Sequence, residues 1–135
     1  MNRSLLLGYQ LLTGVSDTAT GALLIMAPAF TLELLRLPAP SADMVYLSFI
    51  GAFVLSVGIC NLYGAYVVYR RRNRRDLEMV WLLTAFTRAS VAFFVGVQVM
   101  TGDLPSGWLM VAAFDGFCVL FQALGLYKKW PADAL

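Results

Sequence analysis

Asp17, Arg88 and Asp115 each lie inside a separate apolar run long enough to cross a lipid bilayer. A charge at the centre of such a run costs roughly 2.5–3.5 kcal/mol on insertion scales unless it is paired or hydrated. Three chemistries are open to this set. Arg88 can bridge both carboxylates, since its five donors satisfy two acids, and so fix helix packing. Two acids against one base also leave one negative charge in surplus. One carboxyl then has reason to hold a proton, which suits proton transfer, cation binding or acid catalysis. Alternatively, Arg88 can hold an anionic ligand or a lipid headgroup drawn between the helices. Histidine is absent from the chain. That excludes His-ligated haem, His-based zinc or copper sites and any Ser-His-Asp arrangement. No resident cofactor and no metal is expected.

The elements that carry these charges are apolar helices. The 135 residues are 60% hydrophobic and 13% charged, with a mean hydropathy of +0.74. Soluble domains run at about 45–50% apolar and about 25% charged. Four runs reach the ~20 residues a membrane span needs: residues 5–26, 44–69, 79–100 and 107–127. The connections are too short for a soluble domain, so the whole chain, 1–135, reads as one transmembrane domain. The expected fold class is all-α, an integral membrane antiparallel four-helix bundle. Gln10, Thr13, Ser16 and Asp17 interrupt the first run, which argues against a cleaved leader.

The net charge of +2 is too small to suggest nucleic acid. It hides an asymmetry: five of the ten basic residues fall between Arg70 and Arg75. By the positive-inside rule this loop is cytoplasmic. Arg3 and Lys128-Lys129 fall on the same side, so both termini are expected to be cytoplasmic. The Asp103 turn lies outside, as does the first loop, where Arg36 stands against Glu33 and Asp43. In that loop Phe30, Leu32, Leu34, Leu35 and Leu37 predict a short interfacial helix ended by Pro38 and Pro40. The segment from Trp130 to Leu135 reads as a frayed tail.

At 1.5 Å per residue, Asp17, Arg88 and Asp115 lie roughly 16–20 Å from the cytoplasmic helix ends, near the middle of a core about 30 Å thick. Their faces agree as well. Gln10, Thr13, Asp17 and Thr20 form one stripe on the first helix. Trp81, Thr84, Arg88, Val91, Val95 and Gln98 form one on the third. Trp108, Ala112, Asp115, Val119 and Gln122 form one on the fourth. The second helix supplies Gly51, Val54, Gly58, Asn61 and Ala65, with Ser56 nearby. The candidate ligand-binding or proton-relay residues are therefore Asp17, Arg88, Asp115, Gln10, Thr13, Ser56, Asn61, Thr84 and Gln122.

Other features have simpler readings. Cys60 and Cys118 do not form a CxxC pair and read as small apolar core residues. Gly14, Gly21, Gly51, Gly58, Gly64, Gly96, Gly116 and Gly125 read as helix-packing contacts. The arginine loop sets topology and is able to bind anionic headgroups. Trp108, Tyr69, Tyr127 and Trp130 read as interfacial aromatics.

Several segments carry a family resemblance. Gly21-Ala22-Leu23-Leu24-Ile25-Met26-Ala27-Pro28 closes the first helix, and Leu34-Leu35-Arg36-Leu37 follows it. The run from Phe49 to Gly58 (FIGAFVLSVG), the basic loop, Arg88, Gly102 and the acid of the fourth helix complete the set. Together they resemble the DoxX-like superfamily of small bacterial four-helix membrane proteins. Relatives often carry Glu where this chain has Asp115. The resemblance implies this fold and a bacterial inner membrane, with roles ranging from quinone-linked accessory subunits to unknown. The leading functional reading is a non-catalytic accessory or small-ligand/lipid-binding membrane protein. Its partners would be membrane lipids, a hydrophobic ligand or quinone, a partner membrane subunit or a second copy. The alternatives are a small proton-linked transporter, acting as an oligomer, and a membrane enzyme on an apolar substrate, such as an isomerase or quinone-linked oxidoreductase.

Overall fold

The structure is a computed structural model that describes residues 2–38, 44–71 and 73–134, with residues 133 and 134 described by backbone only. Every regular element among them is helical. In chain order these are α1 (Arg3–Met26), α2 (Pro28–Leu34), α3 (Met44–Arg70), α4 (Arg74–Thr101), α5 (Leu109–Tyr127) and α6 (Trp130–Ala134), with a 3-10 turn at Ser106–Trp108 leading into α5.

Local chemistry sets the ends. Asn2 caps α1 by accepting from the Ser4 N–H at 3.2 Å, and Pro28 takes the first position of α2, where no N–H is needed. Asn73 caps α4 through the Arg75 N–H at 3.1 Å, and Asp76 in the first turn complements the helix dipole. Gly102, at φ 87°, ends α4 in the left-handed conformation that glycine adopts freely. The four long helices match the expected spans closely. The largest difference is α4, which begins at Arg74 rather than residue 79. The Asn73 cap and the Arg74–Glu78 ion pair at 3.0 Å carry the helix beyond its apolar run.

Among the described residues three helices are long and apolar enough to cross a membrane: Met44–Arg70, Arg74–Thr101 and Ser106–Tyr127. The first span expected from sequence, α1, is long enough at 24 residues. Gln10, Thr13, Ser16, Asp17, Thr18 and Thr20 lower its hydropathy. The outer surface is apolar, with Leu12, Phe86, Phe93 and Leu120 all more than 70% exposed.

Close approach of α1 and α3 rests on small residues. Gly14 packs on Leu62, Gly21 on Leu55 and Gly51, and Gly58 on Thr18. Partners descend along α3 as they ascend along α1, so this pair runs antiparallel. On α5 the buried residues are Asp115, Cys118, Gln122 and Gly125, in alternating steps of three and four. Apolar clusters occupy both ends of the interior. Leu6, Val67, Val68, Leu77, Val80 and Trp81 form one, and Leu32, Leu37 and Leu47 form the other. The polar side chains lie between them.

Some expectations are corrected. The loop helix runs over Pro28–Leu34 and stops where Arg36 turns to φ 53°, ahead of Pro38; Pro40 and Asp43 lie outside the described residues, as does Arg72. The tail is not frayed where described. The Trp130 ring stands 5.3 Å from that of Phe121 and Pro131 is fully buried, so the tail packs against the bundle. Val91 is exposed, because the buried stripe of α4 passes from Arg88 directly to Val95. Cys60 is exposed, whereas Cys118 is buried. Gly96 and Gly116 face open space and make no packing contact.

Candidate functional site

Arg88 of α4 reaches both acids. Its Nη1 donates to Asp115 Oδ1 at 2.5 Å and its Nη2 donates to Asp17 Oδ2. One guanidinium thus ties α1, α4 and α5 together. All three residues are at least nine-tenths buried. The Arg88 guanidinium carbon lies 5.6 Å from the centre of the Phe114 ring, which covers the cation from the outer side of α5.

Two further polar layers lie along the same interior. One turn from Arg88, Thr84 accepts from Gln122 Nε2 at 2.9 Å and donates to Val80 O at 2.7 Å. Another turn on, Trp81 Nε1 donates to Gln10 Oε1 at 3.1 Å, and Gln10 Nε2 donates to Asn61 O at 3.4 Å. Thr13 is buried and donates to Tyr9 O at 2.9 Å, which keeps its hydroxyl on its own helix. Eight of the nine expected residues therefore converge on the interior between the helices. Ser56 does not. It is exposed, and its hydroxyl bonds to Ala52 O at 2.8 Å one turn back.

Sequence reasoning missed Tyr9 as a member of the site. Its hydroxyl faces the Cys118 thiol and lies within electrostatic reach of Arg88 and Asp17. Its ring stacks on Phe121 at 4.4 Å and meets Trp81 edge-on at 5.8 Å. The available signal was its position, one turn before Thr13. Cys118 is buried as expected, but it stands among polar neighbours; its place one turn after Asp115 was the corresponding signal.

Among the described residues several buried polar atoms complete no hydrogen bond within the protein. They are the Tyr9 hydroxyl, both amide atoms of Asn61, Gln122 Oε1, Thr18 Oγ1 and Arg88 Nε. The Asn61 amide faces the Asp17 carboxylate without closing a bond. Buried polar groups are normally satisfied by protein or by ordered water. The site therefore combines an ionic contact made through both terminal nitrogens of Arg88 with a neutral polar wall that retains hydrogen-bonding capacity.

Two surface grooves lie away from the three charges. One, of about 230 Å³, is lined by Leu7, Leu11, Leu62, Ala65, Tyr66 and Tyr69 between α1 and α3. The other, of about 140 Å³, lies between α3 and α4 and touches the polar interior only through Thr84. Among the described residues no group of three or more His, Cys, Asp or Glu side chains is placed to hold a metal ion. Comparison with protein-family models, with curated proteins and with solved structures returns no match to this chain.

Proposed function

We propose that the chain is a multi-pass protein of the bacterial inner membrane, an antiparallel four-helix bundle in which α1 is the fourth span. Both termini and the Arg70–Arg75 loop face the cytoplasm. Its role in this reading is that of a non-catalytic accessory or small-ligand/lipid-binding membrane protein. The orientation is supported by Arg3, Arg70, Arg71, Arg74, Arg75, Lys128 and Lys129 all lying near helix ends on one side. The likeness to DoxX-like proteins supports the compartment.

One observation carries the functional reading. Arg88 uses both terminal nitrogens on Asp17 and Asp115, so the residues best suited to chemistry are occupied with one another. A buried ion pair of this kind specifies which helices meet and in what register, which is its best-attested use. Native mass spectrometry from mild detergent tests the role. A retained lipid, quinone or second membrane subunit supports it. Thermal melts test the ionic contact separately: if Asp17→Asn and Asp115→Asn both melt with wild type, the packing role is wrong.

A second reading has its own support. The three charges sum to one negative charge, and the Tyr9 hydroxyl and the Asn61 amide stand near them with bonding capacity left over. That is the environment of a carboxyl that exchanges a proton, as in a small proton-linked transporter assembled as an oligomer. Proton flux into proteoliposomes loaded with a pH-sensitive dye, abolished by Asp17→Asn, would replace the accessory reading with this one.

A further inference from the structure

The groove between α1 and α3 ends at the basic pole of the molecule. Arg3, Leu7 and Leu11 follow four-residue steps on α1, so one helix face carries a cation and then the apolar wall. From α3, Leu62, Ala65, Tyr66 and Tyr69 form the opposite wall. Arg3 is held at the mouth, donating Nε to Val68 O at 3.2 Å and Nη2 to Tyr69 O at 2.6 Å. Its Nη1 carries two further N–H groups outside these bonds. Arg70 and Arg71 follow Tyr69 directly, and both are exposed. Arg71 sits at φ 51°, so the chain turns there rather than extending the helix away from the groove. The negative end of the α3 dipole also lies here. Three guanidinium groups outweigh it, and Arg3 already covers two of its carbonyls. Nearby, Arg74 is paired with Glu78.

We propose that this end is a binding site for one anionic phospholipid. Its phosphate is held by Arg3, Arg70 and Arg71, and a segment of one acyl chain lies in the Leu7–Leu11–Leu62–Ala65 groove. The inference rests on the membrane-spanning reading and is independent of the ionic contact at Arg88. The groove is smaller than the 300–1,000 Å³ of ordinary ligand pockets, so it takes part of a chain rather than a whole small molecule. Basic pockets between helices on the cytoplasmic side bind acidic headgroups by the same physics.

The test is a lipid titration followed by native mass spectrometry, using phosphatidylglycerol and phosphatidylcholine with identical acyl chains. Wild type is expected to retain phosphatidylglycerol in preference. The preference is expected to fall about fivefold for each arginine removed in Arg70→Gln and Arg71→Gln. Leu11→Trp, which fills the groove from an exposed position, is expected to weaken retention of both lipids. Arg36→Gln, in the loop after α2, is expected to leave the preference unchanged. Equal retention of the two lipids by wild type overturns the proposal, as does a preference that survives loss of Arg70 and Arg71. Flotation with lipid vesicles is run beside it. Protein that floats but shows no preference sinks only the lipid site, whereas protein that stays at the bottom sinks the membrane reading beneath it.

Discussion

Removing Arg88 leaves two carboxylates facing one another in a buried site, and each loses its principal partner. Breaking a buried pair from one side costs about 3–5 kcal/mol, because the remaining charge is uncompensated. Arg88→Met is therefore expected to lower stability by about that amount, read from denaturant unfolding in detergent. Asp17→Asn or Asp115→Asn leaves one acid against one base, with no net charge. Each is expected to cost less than Arg88→Met, and a larger loss from either would contradict this charge accounting. The meeting of Asp17, Arg88 and Asp115 was legible in the sequence because matching depth and three- and four-residue spacing put all three on inner faces. Ser56 misled because a serine in a helix can satisfy itself on the carbonyl four residues back. Tyr9 escaped notice because an aromatic near a span end resembles an interfacial anchor, and only packing against Phe121 and Trp81 turns it inward.

At the level of whole helices, glycines divide into two groups that spacing alone did not separate. A Cβ on Gly21 would run into the backbone of Leu55 and lie 2.8 Å from Gly51 O, and backbone cannot step aside. A Cβ on Gly116 or Gly96 would meet nothing within 4 Å. Gly21→Ala is expected to destabilise by about 1–3 kcal/mol through overpacking of α1 on α3. Gly116→Ala is expected to be neutral or to stabilise by up to about 1 kcal/mol through helix propensity. Thermal melts of the two variants side by side check the contrast, and a matching loss in both would show that α1 and α3 do not meet as described. Helix lengths were legible because a sustained apolar run leaves few alternatives. Where α4 begins depends instead on Asn73 and on Glu78, which are polar and fall outside that run. The docked tail was illegible for the opposite reason: Pro131 looks like a breaker, and Trp130 looks like an interfacial anchor until Phe121 and Gly125 offer it a surface.

Over the whole molecule, charge is sorted by end rather than by face. The Asp103 turn lies at one pole, with Thr101 Oγ1 donating to Asp103 Oδ2 at 2.6 Å and Trp108 Nε1 donating to Pro38 O at 3.1 Å. Arg3, Arg70, Arg71, Arg74, Arg75 and Lys128-Lys129 lie at the other. In a background of Cys60→Ala and Cys118→Ala, Asp103→Cys is expected to react with an impermeant maleimide on intact cells. Lys129→Cys is expected to react only after permeabilisation. The reverse pattern would invert the proposed orientation. Composition alone made the apolar exterior legible. It did not reveal that the interior is apolar at both ends and polar in the middle, because that depends on which residues face one another across helices.

The bond between Arg88 and Asp17 joins residues 71 positions apart, and so it has a consequence for biosynthesis. The ribosome delivers α1 first, and α1 is the one long helix without an apolar stretch comparable to those of the other three. Its carboxylate then waits through the synthesis of α2 and α3 before its partner emerges. In the proposed four-span topology, stable placement of α1 in the bilayer therefore depends on a helix not yet made. Nascent chains halted before Arg88 are the ones a membrane protease should find with their first segment still accessible.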